Sequence, residues 1–595
     1  MSKTIVVLVY DRRGTQRCFE ELSRFKEASW VVCDVRSQIL LSEKGLSFIT
    51  EQDLFSGEEV RLREDEELAR DLSENWFKSL AEDSSDIPFD IIETYYTRQF
   101  FSYFLVLLRA LHLLERIHSR YGDCTLVTTD LLASPHSIRW SEEESPIPCL
   151  LRSLGKQLYI KWEILDSGKE TVRKKQPLKS LSFIRNWLRS LLDLKLFPQK
   201  AEVLLLGNPK LLGPVANELE SEFKMNALRF RPTFQNNKLK SSLDENKIRS
   251  LLEKSRVFEI KGMDLFSLVW NRIKIFYQQE YPKSKASAQT TSQFLKKINP
   301  KVLLVDEDVT PYSKMAVSQA RKLGILTIVV SHGLPGLRHG FSPLTADYIA
   351  VWGDFDCNRL QSWAISKNLI IATGNPKYDN LCKTDKEEGP SLKKIWMEKF
   401  GWRVSAPLIL VTPDSFKVNG LELFADQMKT PEEVLMQAEC FLKVAKEIPQ
   451  LRVIYKIKQG KWDEAFYGAL AKKWGGLPSN MKWVSEGTAV ELIKASDLVF
   501  SGWASSSLET ILLKKPLFLM HFLEYAEIFP FSAYGFKSKV KSANAVLEVC
   551  KKLVQGQLPL NEIVSSQECL TRPFLLARDG QAANRIASFV HQQLQ

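Results

Sequence analysis

The apolar run Ile325 to Val330 stops at Ser331-His332-Gly333. Imidazole titrates near neutrality, so a histidine held at a strand end can take the proton of an acceptor hydroxyl as general base. A structural histidine in a turn is the competing reading; its place beyond an apolar run favours chemistry for His332. Gly333 is expected to let the backbone turn sharply and to leave access to the ring. A second cluster lies in Asp497 to Pro516, DLVFSGWASSSLETILLKKP. An apolar strand there meets small residues, and a helix is expected to open at Ser505, Ser506 and Ser507. The first N–H groups of a helix have no internal partner and carry the positive end of its dipole. Serines at that point either bind phosphate oxygens or simply cap the helix, and the residue types fit both. Glu509, in the first turn, can accept hydrogen bonds from ribose or sugar hydroxyls.

Two more strand ends join this donor-phosphate set. Thr412 and Ser415 follow the run Pro407 to Val411, and Lys456 and Lys458 flank the end of Leu451 to Ile457. Lysines there can neutralise a diphosphate, or they are ordinary edge-strand lysines. Asp306-Glu307-Asp308 superficially matches a metal-binding DxD. Carboxylates ahead of a helix near Tyr312 account for it better, so no metal is predicted, and Glu307 is assigned to the crevice wall. Gly207-Asn208-Pro209, between a strand and a helix, is a weak anion-binding signal. Gly374 and Asn375 stand at another strand end and are assigned to the cleft crossover.

The elements that must position these residues are short apolar runs alternating with helical segments. Val302 to Val305, Ile325 to Val330, Tyr348 to Trp352 and Leu369 to Ala372 read as buried strands, with a helix from Met315 to Leu323 closed by Gly324. Such a pattern implies an α/β fold with parallel sheets covered on both faces, and ligands then bind beyond the carboxyl ends of the strands. At 595 residues the chain is too long for one core. An apolar fraction of 44% and a charged fraction of 26% are those of a globular protein. The net charge of +11 admits an anionic partner, but no nucleic-acid signature accompanies it, so none is predicted. The nine cysteines are scattered without CxxC pairs, which speaks against zinc and disulfides and for a reducing compartment. The start of the chain reads as a strand, Ile5 to Tyr10, rather than a signal peptide. A cytoplasmic placement follows, with the inner face of the cytoplasmic membrane as its variant.

Four segments are expected. Residues 1–165 form an N-terminal α/β domain of unclear role, with a long helix Tyr95 to Arg120 whose aromatic run is read as core rather than as a sugar-stacking surface. Residues 166–200 form a basic amphipathic linker, and 183–197 within it have the character of an interfacial helix that contacts a membrane. Residues 201–385 form a first Rossmann-like, acceptor-side lobe, mostly helical over 225–300, with an exposed loop from Gln278 to Gln289. Residues 386–595 form a second, nucleotide-donor lobe, and Asp579-Gly580 with Arg585 suggests a helix returning to close the nucleotide site.

These motifs together resemble the GT-B glycosyltransferase superfamily. The likeness is greatest to the branch holding CDP-glycerol glycerophosphotransferases, surface polysaccharide transferases and UDP-N-acetylglucosamine 2-epimerases. It is carried over residues 201–595 by Ser331–Gly333, Pro343–Gly353 (PLTADYIAVWG), Thr373–Asp379 (TGNPKYD), Ser496–Thr510 with Lys515-Pro516, and Arg578–Ile586 (RDGQAANRI). The resemblance implies two Rossmann-like lobes facing a cleft, preceded here by an extra α/β domain. It implies His332 as catalytic base, Ser505 to Ser507 as phosphate-holding residues and Glu509 beneath the donor's ribose or sugar. It implies a nucleotide-activated sugar as substrate, no further cofactor, and a glycan or lipid-linked acceptor. Gly502-Trp503-Ala504-Ser505 stands where the glycerophosphotransferases read D-Y-S-S, and Lys456-Ile457-Lys458-Gln459 where they read K-x-H-P. Sugar transfer in cell-envelope polysaccharide synthesis is therefore the leading expectation. A glycerophosphotransferase-like or 2-epimerase-like enzyme is the alternative, and a non-catalytic glycan- or nucleotide-binding protein is the alternative of another class.

Overall fold

The computed structural model describes residues 4–9, 12–33, 35–81, 97–130, 147–154, 158, 160–166, 200–230, 244–260, 262–336, 338–383, 388–413, 431–457, 461–522, 527 and 529–595. The linker with its interfacial-helix expectation, 183–197, lies outside these residues, as do Ser415 and Lys458.

Three parallel sheets organise the chain. The first is built from β1 (Thr4–Val9), β2 (Ser29–Val32), β3 (Phe48–Thr50), β4 (Cys124–Asp130) and β5 (Lys161–Asp166), in the order β3-β2-β1-β4-β5. The second holds β6 (Val203–Leu206) and β7 (Ala227–Phe230). A two-stranded hairpin, β8 (Glu259–Ile260) and β9 (Met263–Asp264), separates these from β10 (Val302–Val305), β11 (Leu326–Val330), β12 (Tyr348–Val351) and β13 (Ile370–Ala372). The order is β13-β12-β11-β10-β6-β7. The third contains β14 (Leu408–Thr412), β15 (Arg452–Lys456), β16 (Met481–Val484), β17 (Leu498–Ser501), β18 (Leu517–Met520) and β19 (Lys539–Val540), in the order β16-β15-β14-β17-β18-β19. The central strands of the second and third sheets are short, rich in Val, Leu and Ile, and buried along their length, as a sheet covered by helices on both faces requires. The strand order reverses between β1 and β4, between β6 and β10, and between β14 and β17. Each reversal opens a crevice at the carboxyl ends of the strands.

The strand-and-helix alternation expected from the sequence is therefore present, but its partition into units is less linear. The helices Glu245–Ser255, Phe266–Ile275 and Tyr281–Ile298 supply Leu252, Phe266, Trp270, Tyr281 and Ala288 to the same apolar core as the N-terminal helices, so that part of 201–385 is shared with the first unit. The expected loop Gln278 to Gln289 is helical, a π turn over Phe276–Glu280 running into Tyr281–Ile298. Its buried stripe is Tyr281, Pro282, Ser284, Ser287, Ala288, Thr291, Leu295 and Ile298, a helical spacing whose middle is written in small residues. Those short side chains let the helix lie against its neighbour Pro311–Lys322, and their polarity hid the period. The last helix, Ala582–Leu594, leaves the third unit. It packs Ala583, Ile586, Ala587 and Val590 into the core beneath β6 and β10, which corrects the assignment of 386–595 to one lobe.

The aromatic run of the long helix, observed as Thr97–Tyr121, is core: Phe100, Phe101, Tyr103 and Phe104 are all buried. The same helix carries Arg109, whose side chain is fully buried. It donates to Asp65 at 2.7 Å, to the Leu62 carbonyl at 2.8 Å and to Glu66 at 3.2 Å. His112, one turn on, lies between Asp65 at 3.1 Å and Glu58 at 3.3 Å. Burial holds the Arg109 pKa below its ordinary value, and the carboxylates oppose that. Removing one partner of such a network strands the other charge away from water. Arg109→Met is expected to cost about 3–5 kcal/mol of stability in equilibrium denaturation. A loss under about 1 kcal/mol, the size of an exposed pair, would show that Asp65 is reached by water.

Candidate functional site

β11 delivers His332 to the rim of the second sheet. The turn is fastened from several sides. Ser331 donates its N–H to the Ala350 carbonyl at 2.9 Å and its hydroxyl to the Gly333 carbonyl at 2.7 Å. The Trp352 indole N–H donates to the Ser331 carbonyl at 2.9 Å, and the Trp352 backbone N–H donates to Asp356 at 2.7 Å. His332 itself is exposed, its ring parallel to that of Phe341 with centroids 6.1 Å apart. Gly333 is not required by conformation or crowding: its φ lies outside the left-handed region and a Cβ there would meet nothing within 4 Å.

The acidic triplet is structural on two of its three positions. Asp306 accepts the Asn208 N–H at 2.7 Å, and its carboxylate fills the space a Cβ on Gly207 would occupy. The Gly207-Asn208-Pro209 turn is therefore occupied by the protein's own carboxylate, which removes it as an anion site. Asp308, buried, accepts the N–H and hydroxyl of Thr345 at 2.8 and 2.9 Å. Glu307 is half-buried between them. Among the described residues no group of His, Cys, Asp and Glu is arranged to hold a metal ion.

Across the cleft, the strand-order reversal between β14 and β17 brings Thr412 and Ser501 side by side. The Thr412 hydroxyl donates to Ser501 at 2.8 Å, and Ser506 donates to Thr412 at 3.0 Å. Ser507 donates to Ser501 at 3.0 Å and to the Gly502 carbonyl at 2.9 Å. These hydroxyls are buried and consumed in holding two strands and a helix together. Thr412, Ser506 and Ser507, expected to hold the donor phosphates, here fasten the strand ends to the helix. The helix opens at Ser505, as Ser505–Leu512, with Ala504 as an N-cap that offers no side-chain hydrogen bond. Ser505 is exposed there. Lys456, expected at the donor phosphates, is engaged by the backbone. Its ammonium donates to the carbonyls of Ser485 at 2.6 Å and Ile457 at 3.2 Å, tying the ends of β15 and β16, and burial lowers its pKa.

The two lobes meet through Thr373–Asp379. Gly374 has φ +83°, and a Cβ there would lie 3.1 Å from the Ala582 Cβ, so glycine is needed at this crossing. Asn375 is buried and caps the next turn, accepting the Lys377 N–H at 3.0 Å. Lys377 then reaches across to Glu509, with Nζ to Oε1 at 3.1 Å. Glu509 is buried and paired through Lys377 to the opposite lobe. Tyr378 is buried beside Ser505 and Glu509. Its hydroxyl makes no well-formed hydrogen bond, and burial, then the Glu509 charge, raises its pKa. Sequence reasoning singled out neither Lys377 nor Tyr378. Both sat inside TGNPKYD, where a base beside an aromatic directly after a strand-end Asn-Pro was the signal. Arg578–Ile586 does return to the joint: Arg585 donates to the Thr373 carbonyl at 3.2 Å and pairs with Asp579.

Two Rossmann-like lobes meet through Thr373–Asp379, and the helix Ala582–Leu594 crosses back from the second of them to the first. The chain has a GT-B-like fold. No family model matches the sequence, and no curated protein matches it. Among solved structures it is similar to the UDP-GlcNAc 2-epimerase from Neisseria meningitidis bound to UDP-GlcNAc, at 15% identity and TM-score 0.43, covering 66% of this chain and 99% of that one. It is also similar to Anabaena Alr3699/HepE in complex with UDP and glucose, at 13% identity and TM-score 0.39, covering 65% and 100%. A third is a variant of the wall teichoic acid polymerase TagF, at 13% identity and TM-score 0.39, covering 70% and 96%. Likeness at this level says nothing about activity.

Asp356, the far end of the chain of contacts behind His332, is fully buried, and its Oδ1 finds no hydrogen-bond partner. Burial raises its pKa well above the aspartate value, and the Trp352 N–H only partly opposes this. A raised carboxyl pKa means that the unfolded chain loses its proton first as pH rises, so this group's contribution falls above the unfolded value of about 3.9. Asp356→Asn keeps the acceptor for Trp352 and removes the titration. Its melting temperature relative to the parent is expected to rise from pH about 4 to 7. A flat difference would show Asp356 ionised in the fold.

Proposed function

We propose that the chain is a GT-B-type glycosyltransferase that moves a sugar from a nucleotide donor to a surface glycan or lipid-linked acceptor in cell-envelope polysaccharide synthesis. The observation that carries this reading is the start of the helix Ser505–Leu512. It lies at the strand-order reversal of a six-stranded parallel sheet, lacks a side-chain cap, and is faced by Lys377 and Tyr378 of the other lobe. Uncapped N–H groups at a helix start, with a lysine at hand, suit the diphosphate of a nucleotide donor.

In this reading the acceptor hydroxyl oxygen bonds to the donor's anomeric carbon while the bond from that carbon to the diphosphate breaks. His332, exposed at the opposite strand end, takes the hydroxyl proton. The charge left on the diphosphate is met by the helix N–H groups, the Ser505 hydroxyl and Lys377. The scheme needs no fixed metal and no cofactor besides the donor. Glu509 orients Lys377 before the donor arrives, and the ion pair ties donor-side occupancy to the closeness of the lobes.

His332→Ala is expected to abolish sugar transfer and to keep nucleotide-induced stabilisation, because the ring lies outside both cores. In a thermal-shift screen of UDP, CDP, GDP, CMP and their sugar conjugates, one nucleotide at about a hundred times its Kd should add roughly 2.7 kcal/mol. Undiminished transfer by His332→Ala would remove the proposed base. Stabilisation without turnover in the parent chain would leave a nucleotide-binding protein, and turnover of the donor with no acceptor present would mark an epimerase-like enzyme instead.

A further inference from the structure

The turn that carries His332 is flanked on two sides. On one, the His332 ring lies parallel to that of Phe341, whose N–H donates to the Arg338 carbonyl at 3.0 Å. The turn Arg338–Gly340 packs on the N-terminal helix Thr97–Tyr121. The N-terminal unit also reaches the third: its helix Val35–Glu43 packs on the helix Lys461–Lys473, and Ile39 enters that unit's core. On the other side stands Trp352, and it leads to the donor helix directly.

Trp352 follows β12 of the second sheet, yet its side chain is buried in an apolar core of the third unit. It shares that core with Tyr378 and with Leu508 and Ile511 of the helix Ser505–Leu512. Its indole N–H donates to the carbonyl of Ser331, the residue before His332, at 2.9 Å. Its backbone N–H is fixed on Asp356 at 2.7 Å. Its ring meets that of Tyr378 edge to face, with centroids 5.6 Å apart and planes at 71°. The Lys377 ammonium stands 5.3 Å from the centre of the same Tyr378 ring and 3.1 Å from Glu509 Oε1. Ring packing rather than the Tyr378 hydroxyl fixes this tyrosine, since the hydroxyl makes no well-formed hydrogen bond. A series of direct contacts therefore joins the backbone of His332 to the donor helix: carbonyl to indole, indole to phenol ring, phenol ring to ammonium, ammonium to Glu509. A hydrogen bond from a seated indole has a defined direction, so it sets where the Ser331 carbonyl lies relative to the third unit. Close-packed rings pass a displacement on rather than absorb it.

We propose that Trp352 is a positioning residue for His332: it fixes the base relative to the donor helix and passes to it the state of the Lys377–Glu509 pair. The name of base rests on the transferase reading; the link between the two places does not. When a diphosphate draws Lys377 from Glu509, the Tyr378 ring loses the cation over it, and the indole seated against that ring shifts the Ser331 carbonyl. His332 is then aligned according to whether the donor side is occupied.

The test uses the full chain, isotopically labelled at histidine Cε1, with the His332 NMR signal assigned by its absence from His332→Ala. Lys377→Gln, which breaks the pair with Glu509, is expected to displace that signal. Trp352→Phe keeps an aromatic ring against Tyr378 and removes the N–H to Ser331. In that background Lys377→Gln should leave the signal where Trp352→Phe alone puts it. Tyr378→Leu keeps the N–H and removes the ring between; it should silence the response equally, and it carries the test should Trp352→Phe not fold. A signal that Lys377→Gln does not move overturns the link. So does an equal displacement in parent and variant backgrounds, the mark of a direct field across the cleft. In turnover with the donor found by thermal shift, Trp352→Phe should lower kcat about tenfold or more at an unchanged donor KM. A parental kcat overturns the positioning role. A signal that responds as expected in a chain that transfers no sugar would uphold the link and reject the transferase reading.

Discussion

The carboxylate of Asp379 holds together what the rest of the molecule depends on. It accepts the N–H groups of Ala582 and Ala583 at 3.0 and 2.8 Å, capping a helix that begins some two hundred residues later in the chain. Burial raises its pKa, and those two N–H groups oppose the rise. Around this contact every approach is close. A Cβ on Gly580 would lie 2.9 Å from the Asp379 carbonyl, and one on Gly353 would lie 2.4 Å from the Pro573 carbonyl. The crossing from the second lobe and the return from the third are thus packed through glycine, with backbone against backbone. Lys377 and Glu509 meet across a joint whose separation is set by these contacts rather than by their own attraction.

The donor side shows how residue types suited to chemistry can be spent on architecture. Thr412, Ser501, Ser506 and Ser507 exchange hydroxyl hydrogen bonds in a buried cluster at the point where the third sheet reverses its strand order. Each bond contributes about 1 kcal/mol in its own right, and a buried hydroxyl without a partner would cost more. The cluster fixes the helix Ser505–Leu512 against β14 and β17 and leaves the helix start as the exposed polar feature. Positioning is done by buried hydroxyls; contact with a ligand falls to the backbone and to Ser505.

The sheets were legible because their strands are short runs rich in Val, Leu and Ile that stop at small or polar residues, and a buried parallel strand permits little else. Val302–Val305, Leu408–Thr412 and Leu498–Ser501 were all placed in this way. β3, β7 and β19 were not, being edge strands whose few residues carry no distinctive run. The first half of the helix Tyr281–Ile298 was read as a loop because the middle of its buried face is Ser284, Ser287, Ala288 and Thr291, which read as surface until a neighbouring helix is seen against them. The exposed place of His332 at a strand end was legible from the apolar run before it. The fates of Lys456, Ser506 and Glu509 were not, because a hydrogen-bond partner such as the Ser485 carbonyl or Lys377 is a fact of three-dimensional proximity. The same holds for Asp306, whose acidic neighbours suggested a metal or a helix start while its carboxylate was closing a glycine turn on another strand.

The bracing of the N-terminal unit against both lobes has a mechanical consequence. Two lobes joined at a hinge alone can swing apart about it, and the cleft mouth then widens freely. Here a third body touches both lobes, with Ile39 seated in one and the helix Thr97–Tyr121 against the other. A hinge closed by a strut has one fewer degree of freedom: the lobes must slide on the strut, or one seat must come loose. Relative motion of the lobes is thereby resisted away from the crossing as well as at it, and the seat with the smaller apolar contact yields first.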